Sequence, residues 1–180
     1  LRPLLPPRPR LAEGKPRKVP RILIASASVG MGHVSAGKNL EAEYARRGRP
    51  LEVRHIDILD YFSQASQMAY RDAYVRLAGH HPPLLRLIYD ITDRPFHPRD
   101  GTRFCKEAAA FDPDLVVTTH FTPAMLLSRM VRKGQLRTRI ATVVTDFDVH
   151  GLWLQNQLDM FFVSTEESRE YLLALGVPPE

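Results

Sequence analysis

A short apolar run that breaks into glycines and then into a helix sets the plan of this chain. In Arg21-Ile22-Leu23-Ile24-Ala25-Ser26-Ala27-Ser28-Val29-Gly30-Met31-Gly32-His33, residues Ile22–Ala27 show little polar alternation. That pattern belongs to a strand buried on both faces of a parallel sheet. Gly30 and Gly32 predict a tight turn in which backbone can approach a ligand closely. From His33 to Arg47 the spacing turns helical, with Val34, Leu40 and Ala45 on one face and Lys38, Glu41 and Arg46 on the other. A strand, a glycine turn and a helix N-terminus together form a site for anionic or hydroxylic groups. His33 stands at its mouth.

The rest of the chain repeats this alternation. Leu51–Asp57 reads as a second strand ending near Asp57, Leu115–Thr119 as a third, Arg139–Thr145 as a fourth and Met160–Ser164 as a fifth. Helices are expected at Ser66–Ala78, Leu84–Thr92, Thr102–Ala110, Ala124–Lys133 and Glu166–Leu175. Breaks at His80-His81-Pro82-Pro83 and at Pro95 and Pro98 bound an insertion, and Asp112-Pro113-Asp114 is a turn. Thr122-Pro123 is expected to cap and open the helix that follows. Strands alternating with helices imply an α/β fold with a doubly wound parallel sheet. Ligands of such sheets bind beyond the carboxyl ends of the strands. Ser28–His33, Asp57, Thr119–Thr122 and Thr145–His150 fall there, bringing His33, His120 and His150 to one edge.

At 180 residues the chain holds one well-buried domain. The net charge of +5 first raises a nucleic-acid or membrane partner, but residues 1–21 carry seven Lys/Arg against one Glu. The remainder is near neutral, so no nucleic-acid partner is expected of the folded part. Residues 1–20 also hold six prolines and read as a disordered or polyproline-like tail. That tail is either a solvated leader or a contact for an anionic lipid surface, where each basic residue is worth about 1 kcal/mol. No run approaches the roughly 20 apolar residues of a spanning helix. The single Cys105 excludes an internal disulfide, fits a reducing cytoplasm and reads as a packing residue.

Several motifs match in part. Gly32–Asn39 fits the phosphate-loop spacing G-x-x-x-x-G-K, but Asn39 replaces the hydroxyl residue that would hold magnesium. Gly30-Met31-Gly32 followed by Asp57 has the beginning of a dinucleotide fingerprint, with Ser35 in place of its third glycine. That leaves a nucleotide-cofactor-binding oxidoreductase domain as one alternative. Asp146, Asp148 and His150 could ligate a metal on paper, but nothing in the sequence fixes a geometry; a solvated turn is the preferred reading, and no metal or cofactor is expected. The aromatic and aliphatic helices between Ser66 and Thr92, edged by Arg71, Arg76 and Arg86, read either as core cover or as an interfacial membrane surface.

Three stretches carry a family resemblance. Gly30-Met31-Gly32-His33, with Ala36, Lys38 and Leu40 behind it, resembles the start of the monogalactosyldiacylglycerol synthase and processive diacylglycerol glucosyltransferase family. Asp112–Val117 is similar to that family's P-D-hydrophobic strand. Thr145-Asp146-Phe147-Asp148-Val149-His150-Gly151-Leu152-Trp153 resembles its T-D-x-x-x-H-x-x-W segment, with Phe161–Glu166 following at the family's distance. The resemblance spans Arg21 to Gly176. It implies the N-terminal, Rossmann-like half (residues 21–176) of a two-domain GT-B type inverting glycosyltransferase, peripheral on the cytoplasmic face of a membrane. The partners implied are a UDP-hexose donor, held mostly by a C-terminal domain absent from this chain, and a diacylglycerol acceptor. By motif, His33 would be the base, with Gly30 and Gly32 shaping the loop beside the transferred sugar. Asp146, His150 and Trp153 would line the acceptor or anionic-lipid side, with His120 nearby. A peptidoglycan-type N-acetylglucosaminyl transferase shares the first stretch, but the Asp146…His150…Trp153 segment argues against it. A non-catalytic lipid-surface module is a further alternative.

Overall fold

The computed structural model describes residues 19–70, 98–147 and 149–179, with side chains described except at 98–100. Five strands form one parallel sheet: β1 (Arg21–Ser26), β2 (Glu52–Asp57), β3 (Leu115–Thr118), β4 (Arg139–Val143) and β5 (Met160–Phe162), in the order β2-β1-β3-β4-β5. β1 aligns Ala25 with Ile56 of β2 and with Thr118 of β3. Four helices carry the connections: α1 (Met31–Arg46), α2 (Pro98–Phe111), α3 (Phe121–Arg132) and α4 (Glu166–Ala174).

The pleat of β1 sorts the two faces. Ile22 and Ile24 point with Val117 toward Leu40 and Tyr44 of α1, whereas Leu23 and Ala25 point toward Phe104 and Ala108 of α2 and Leu127 and Met130 of α3. Residues such as Phe104 and Leu127 are fully buried, each contributing about 1.5–3 kcal/mol. This is the doubly wound α/β fold read from the sequence. Because β1 has β2 on one side and β3 on the other, the loops after β1 and β3 diverge and leave a crevice at the strand ends.

Element ends differ from the sequence reading for local reasons. α1 begins at Met31, so His33 is its third residue. Pro98 opens α2 rather than closing the insertion, as suits a residue with fixed φ and no N–H to lose. The cap of α3 is His120, whose Nδ1 accepts from Thr122 N at 3.1 Å, and not Thr122 itself. β4 stops at Val143 because Thr145 turns away to donate its hydroxyl to Thr119 O at 3.1 Å. The Asp112 turn is confirmed, with Asp112 at φ 49°, a region Asp tolerates.

Two partial motifs dissolve in this geometry. Gly37 and Lys38 lie inside α1, with Gly37 buried against the His55 ring, so the phosphate-loop spacing is helix. Asp57 ends β2 as expected, but its Oδ1 accepts from Ser28 N (3.1 Å) and Leu59 N (3.0 Å), tying down the β1–α1 loop. Gly30 is extended (φ −156°), and Gly32 is helical with no atom within 4 Å of an added Cβ. Neither needs glycine's conformational freedom: the expected turn is there, but it is made at Ser28 and Val29.

Of the insertion, residues 64–70 are helical. Tyr70 is buried, its hydroxyl 2.7 Å from Thr122 Oγ1, so at least this residue serves the core. The expected helix beyond Tyr70, the helix Leu84–Thr92, the tail and Asp148 lie outside the described residues. Cys105 is half-buried; burial pushes its thiol up against the opposing pull of Arg129 and Lys133, as a packing residue requires. Among the described residues no helix is long and apolar enough to cross a membrane.

Candidate active site

His33 is held at three points. Its ring Nδ1 lies 3.1 Å from Thr119 O and within hydrogen-bond reach of Thr145 Oγ1. Thr119 also donates its own hydroxyl to the His33 carbonyl at 2.8 Å. Because the Thr145 hydroxyl donates to Thr119 O, the network assigns the proton to Nδ1 and leaves Nε2 as the free acceptor. Nε2 faces two things: a Cβ placed on Gly30 would lie 3.8 Å away, and Asp146 Oδ1 is 3.9 Å away. The topology explains the convergence, since α1 follows β1, Thr119 follows β3, and Thr145 and Asp146 follow β4, three adjacent strands.

Asp146 is the hub of the second half. Its Oδ2 accepts from Trp153 Nε1 at 2.8 Å and from His150 Nε2 at 3.1 Å. His150 Nδ1 is buried with no hydrogen-bond partner among the described residues, which agrees with a proton on Nε2. Beneath them Phe121, Val144, Val149, Leu152, Trp153 and Leu172 form a small core. Trp153 is 0% exposed. Its indole is turned to Asp146 from within that small core.

His120 is also fully buried, its ring edge-on to His33 at a centroid distance of 4.6 Å. The three histidines do share one edge, in different environments: His33 and His120 are buried, and His150 is half-exposed. Burial lowers the His33 pKa, opposed by the Asp146 charge and by the hydrogen bond to Thr119. Desolvation is thus the largest influence on this ring, and it favours the neutral form. His120 is pushed well below its ordinary value by burial, with His33 and His150 adding to the effect and Asp146 opposing it. Burial raises the Asp146 carboxyl, but the hydrogen bonds from His150 and Trp153 and the nearby histidines outweigh it, so the group lies below the usual carboxylate range.

No group of three or more His, Cys, Asp or Glu side chains among the described residues is placed to hold a metal ion. Asp146 and His150 are instead bonded to each other. At the rim two large apolar side chains stand in solvent, Met31 (81% exposed) and Phe147 (91%). The arrangement can accept a proton from a hydroxyl at Nε2, beside a fixed negative charge and an apolar lip.

The family model for monogalactosyldiacylglycerol (MGDG) synthase matches residues 33–180, beginning on the histidine just described. The chain belongs to the MGDG synthase family. It is 26% identical over 174 residues to processive diacylglycerol beta-glucosyltransferases of Bacillus cereus (strain B4264) and Bacillus thuringiensis (strain Al Hakam). Each alignment covers 91% of this chain and 43% of the relative. The chain therefore spans less than half the length of these relatives. No solved structure matches it. Membership in this family removes the ground for the oxidoreductase alternative, and the five-stranded α/β sheet agrees with the Rossmann-like half expected of an MGDG synthase family chain.

Two residues of the site, Thr119 and Thr145, were placed at the strand ends by the sequence but given no role there; the structure shows them holding the His33 ring. The signal available was their position, each just past the carboxyl end of a strand that borders the crevice.

Proposed function

We propose that residues 21–176 form the acceptor-binding half of an inverting glycosyltransferase that moves a hexose from a UDP-sugar to diacylglycerol, with His33 as general base. The observation that carries the reading is the His33 ring itself: Nδ1 is tied to Thr119 O, so Nε2 is left bare at the strand-end crevice. In this reading Nε2 takes the hydroxyl proton of the acceptor as its oxygen bonds to the anomeric carbon. The bond from that carbon to the diphosphate breaks, its electron pair leaves with UDP, and configuration inverts. A neutral imidazole suits that task near pH 7, and burial favours the neutral form.

The relatives' names, which specify diacylglycerol and glucosyl transfer, support the acceptor class. Exposed Met31 and Phe147 at the rim of the strand-end crevice suit an acceptor carrying acyl chains. The nucleotide-sugar pocket, in this proposal, belongs mostly to a second domain outside these 180 residues. The enzyme works as a peripheral protein on the cytoplasmic face, and the basic tail and the apolar lip meet an anionic lipid surface.

The test is His33→Ala and His33→Asn in a protein carrying both domains. Turnover should fall about 10²–10⁴-fold, or about 2.7–5.4 kcal/mol of barrier, with donor affinity nearly unchanged. Asn should fail as Ala does, because it keeps a polar contact yet cannot take the proton. Retention of most activity by His33→Asn would remove the base assignment.

A further inference from the structure

We infer that Asp146 is a second catalytic residue, a carboxylate that meets the acceptor hydroxyl beside His33, and that Trp153 and His150 are positioning residues acting through it. The inference rests on His33 as base and assigns new work to the cluster around it. Two donors, Trp153 Nε1 and His150 Nε2, converge on one oxygen, Oδ2. The other oxygen, Oδ1, is left directed at His33 Nε2 across 3.9 Å. That gap is too long for a direct hydrogen bond, so Nε2 stays free to accept the proton of a hydroxyl that enters beside the carboxylate.

The chemistry of the two edges agrees. Nε2 is an acceptor in the assigned tautomer, and an ionised Oδ1 is an acceptor too. The proton that crosses the gap must therefore arrive with the ligand. When the acceptor hydroxyl gives it to Nε2, the new imidazolium N–H faces a fixed carboxylate. Before transfer that carboxylate faces a neutral ring, so it stabilises the transition state more than the ground state. The other titratable groups near His33 are His120, ring to ring at 4.6 Å from the β3–α3 loop, and His150 beyond Asp146. Positive charge on either opposes the imidazolium, and Asp146 is the group that offsets it.

Trp153 fits the positioning role through its burial. A buried indole N–H needs an acceptor, and this one finds Asp146 with its ring packed against Phe121. Its hydrogen bond and its place in the small core fix the carboxylate's direction from a side the acceptor never touches.

The experiment is a residue-resolved NMR titration of the 180-residue chain, independent of any sugar transfer. Asp146→Asn should lower the His33 pKa by about 1 unit, the loss of an opposite charge at this range. His150→Ala should raise the Asp146 pKa, and His150→Gln, whose amide can still donate to Oδ2, should restore most of it. An unchanged His33 titration in Asp146→Asn overturns the catalytic assignment. An Asp146 titration unmoved in His150→Ala, or one not rescued by Gln, overturns the positioning assignment. Should Asp146→Asn fail to fold, the Trp153 indole N–H of the unaltered chain decides: its resonance must shift as Asp146 protonates, and a flat response refutes the inference. Failure of His33 variants to slow sugar transfer would sink the base reading and leave these titrations standing, so the two are separable.

Discussion

Gly37→Ala should destabilise the domain, although it replaces glycine by alanine within a helix. An added Cβ would lie 2.5 Å from His55 Nε2 and 2.8 Å from Cε1. The ring has no easy retreat, since Nε2 is bonded to Ser26 Oγ at 2.9 Å and Nδ1 faces Glu41 Oε2 at 3.5 Å. Helix propensity favours the change by about 1 kcal/mol. Against it stand overpacking, about 1–3 kcal/mol, and the loss of a partner for fully buried Ser26, about 1–3 kcal/mol. The net cost is about 1–5 kcal/mol, and each 1 kcal/mol lowers Tm by roughly 2–4 °C in a chain of this size. Urea unfolding of the 180-residue chain measures it, provided the slope is unchanged. Gly32→Ala is the control, because an added Cβ there meets nothing within 4 Å; it should be neutral or stabilise by up to about 1 kcal/mol. The double change Gly37→Ala/His55→Ala should cost less than the sum of the two single changes, because the clash is gone. A Gly37→Ala chain as stable as the parent would refute the steric argument.

Stability should fall with acidification near neutrality. His33 and His120 both have folded pKa values below the ordinary 6.5, so the unfolded chain binds more protons in the window just below 6.5. Their contribution is present above that value and is lost as pH falls toward the folded values, at no more than about 1.4 kcal/mol per pH unit for each histidine. Equal urea midpoints at pH ~7.5 and ~5.5 would contradict this linkage. At the cap of α3, His120→Asn should be more stable than His120→Ala by about 0.5–2 kcal/mol in thermal unfolding, since Asn can still accept from the helix N–H groups. Phe147→Ser, at an exposed position, should change stability by no more than about 0.5 kcal/mol. It should still weaken cosedimentation of the chain with diacylglycerol-containing vesicles, and unchanged cosedimentation would remove Phe147 from the lipid contact.

The order of elements was legible in the residues. Strand 21–26 follows from an unbroken apolar run, helix 31–46 from its 3.6-residue spacing, and the winding of the sheet from their alternation. The same logic put His33, His120 and His150 on one edge, because each follows a strand of a parallel sheet. Local rules failed where a side chain had a tertiary partner. Thr122-Pro123 has the composition of a helix start, yet His120 is the cap, because its ring is packed against His33 and Phe121 with Nδ1 aimed at Thr122 N. Gly30 and Gly32 read as the residues that allow a tight turn, yet one is extended and the other helical, and the turn falls on Ser28 and Val29.

What the sequence determined by itself is periodicity and chemistry: which stretches bury one face or both, and which residues can carry a proton. Those properties belong to neighbouring residues and survive without knowledge of the fold. Only the tertiary structure decided which nitrogen of His33 is free, because Thr119 and Thr145 lie 86 and 112 residues away from it. It also decided that the Trp153 indole is buried against Asp146, and that burial pushes His33 toward its neutral form. Directions of hydrogen bonds and degrees of desolvation arise only when distant segments pack, and no spacing along the chain encodes them.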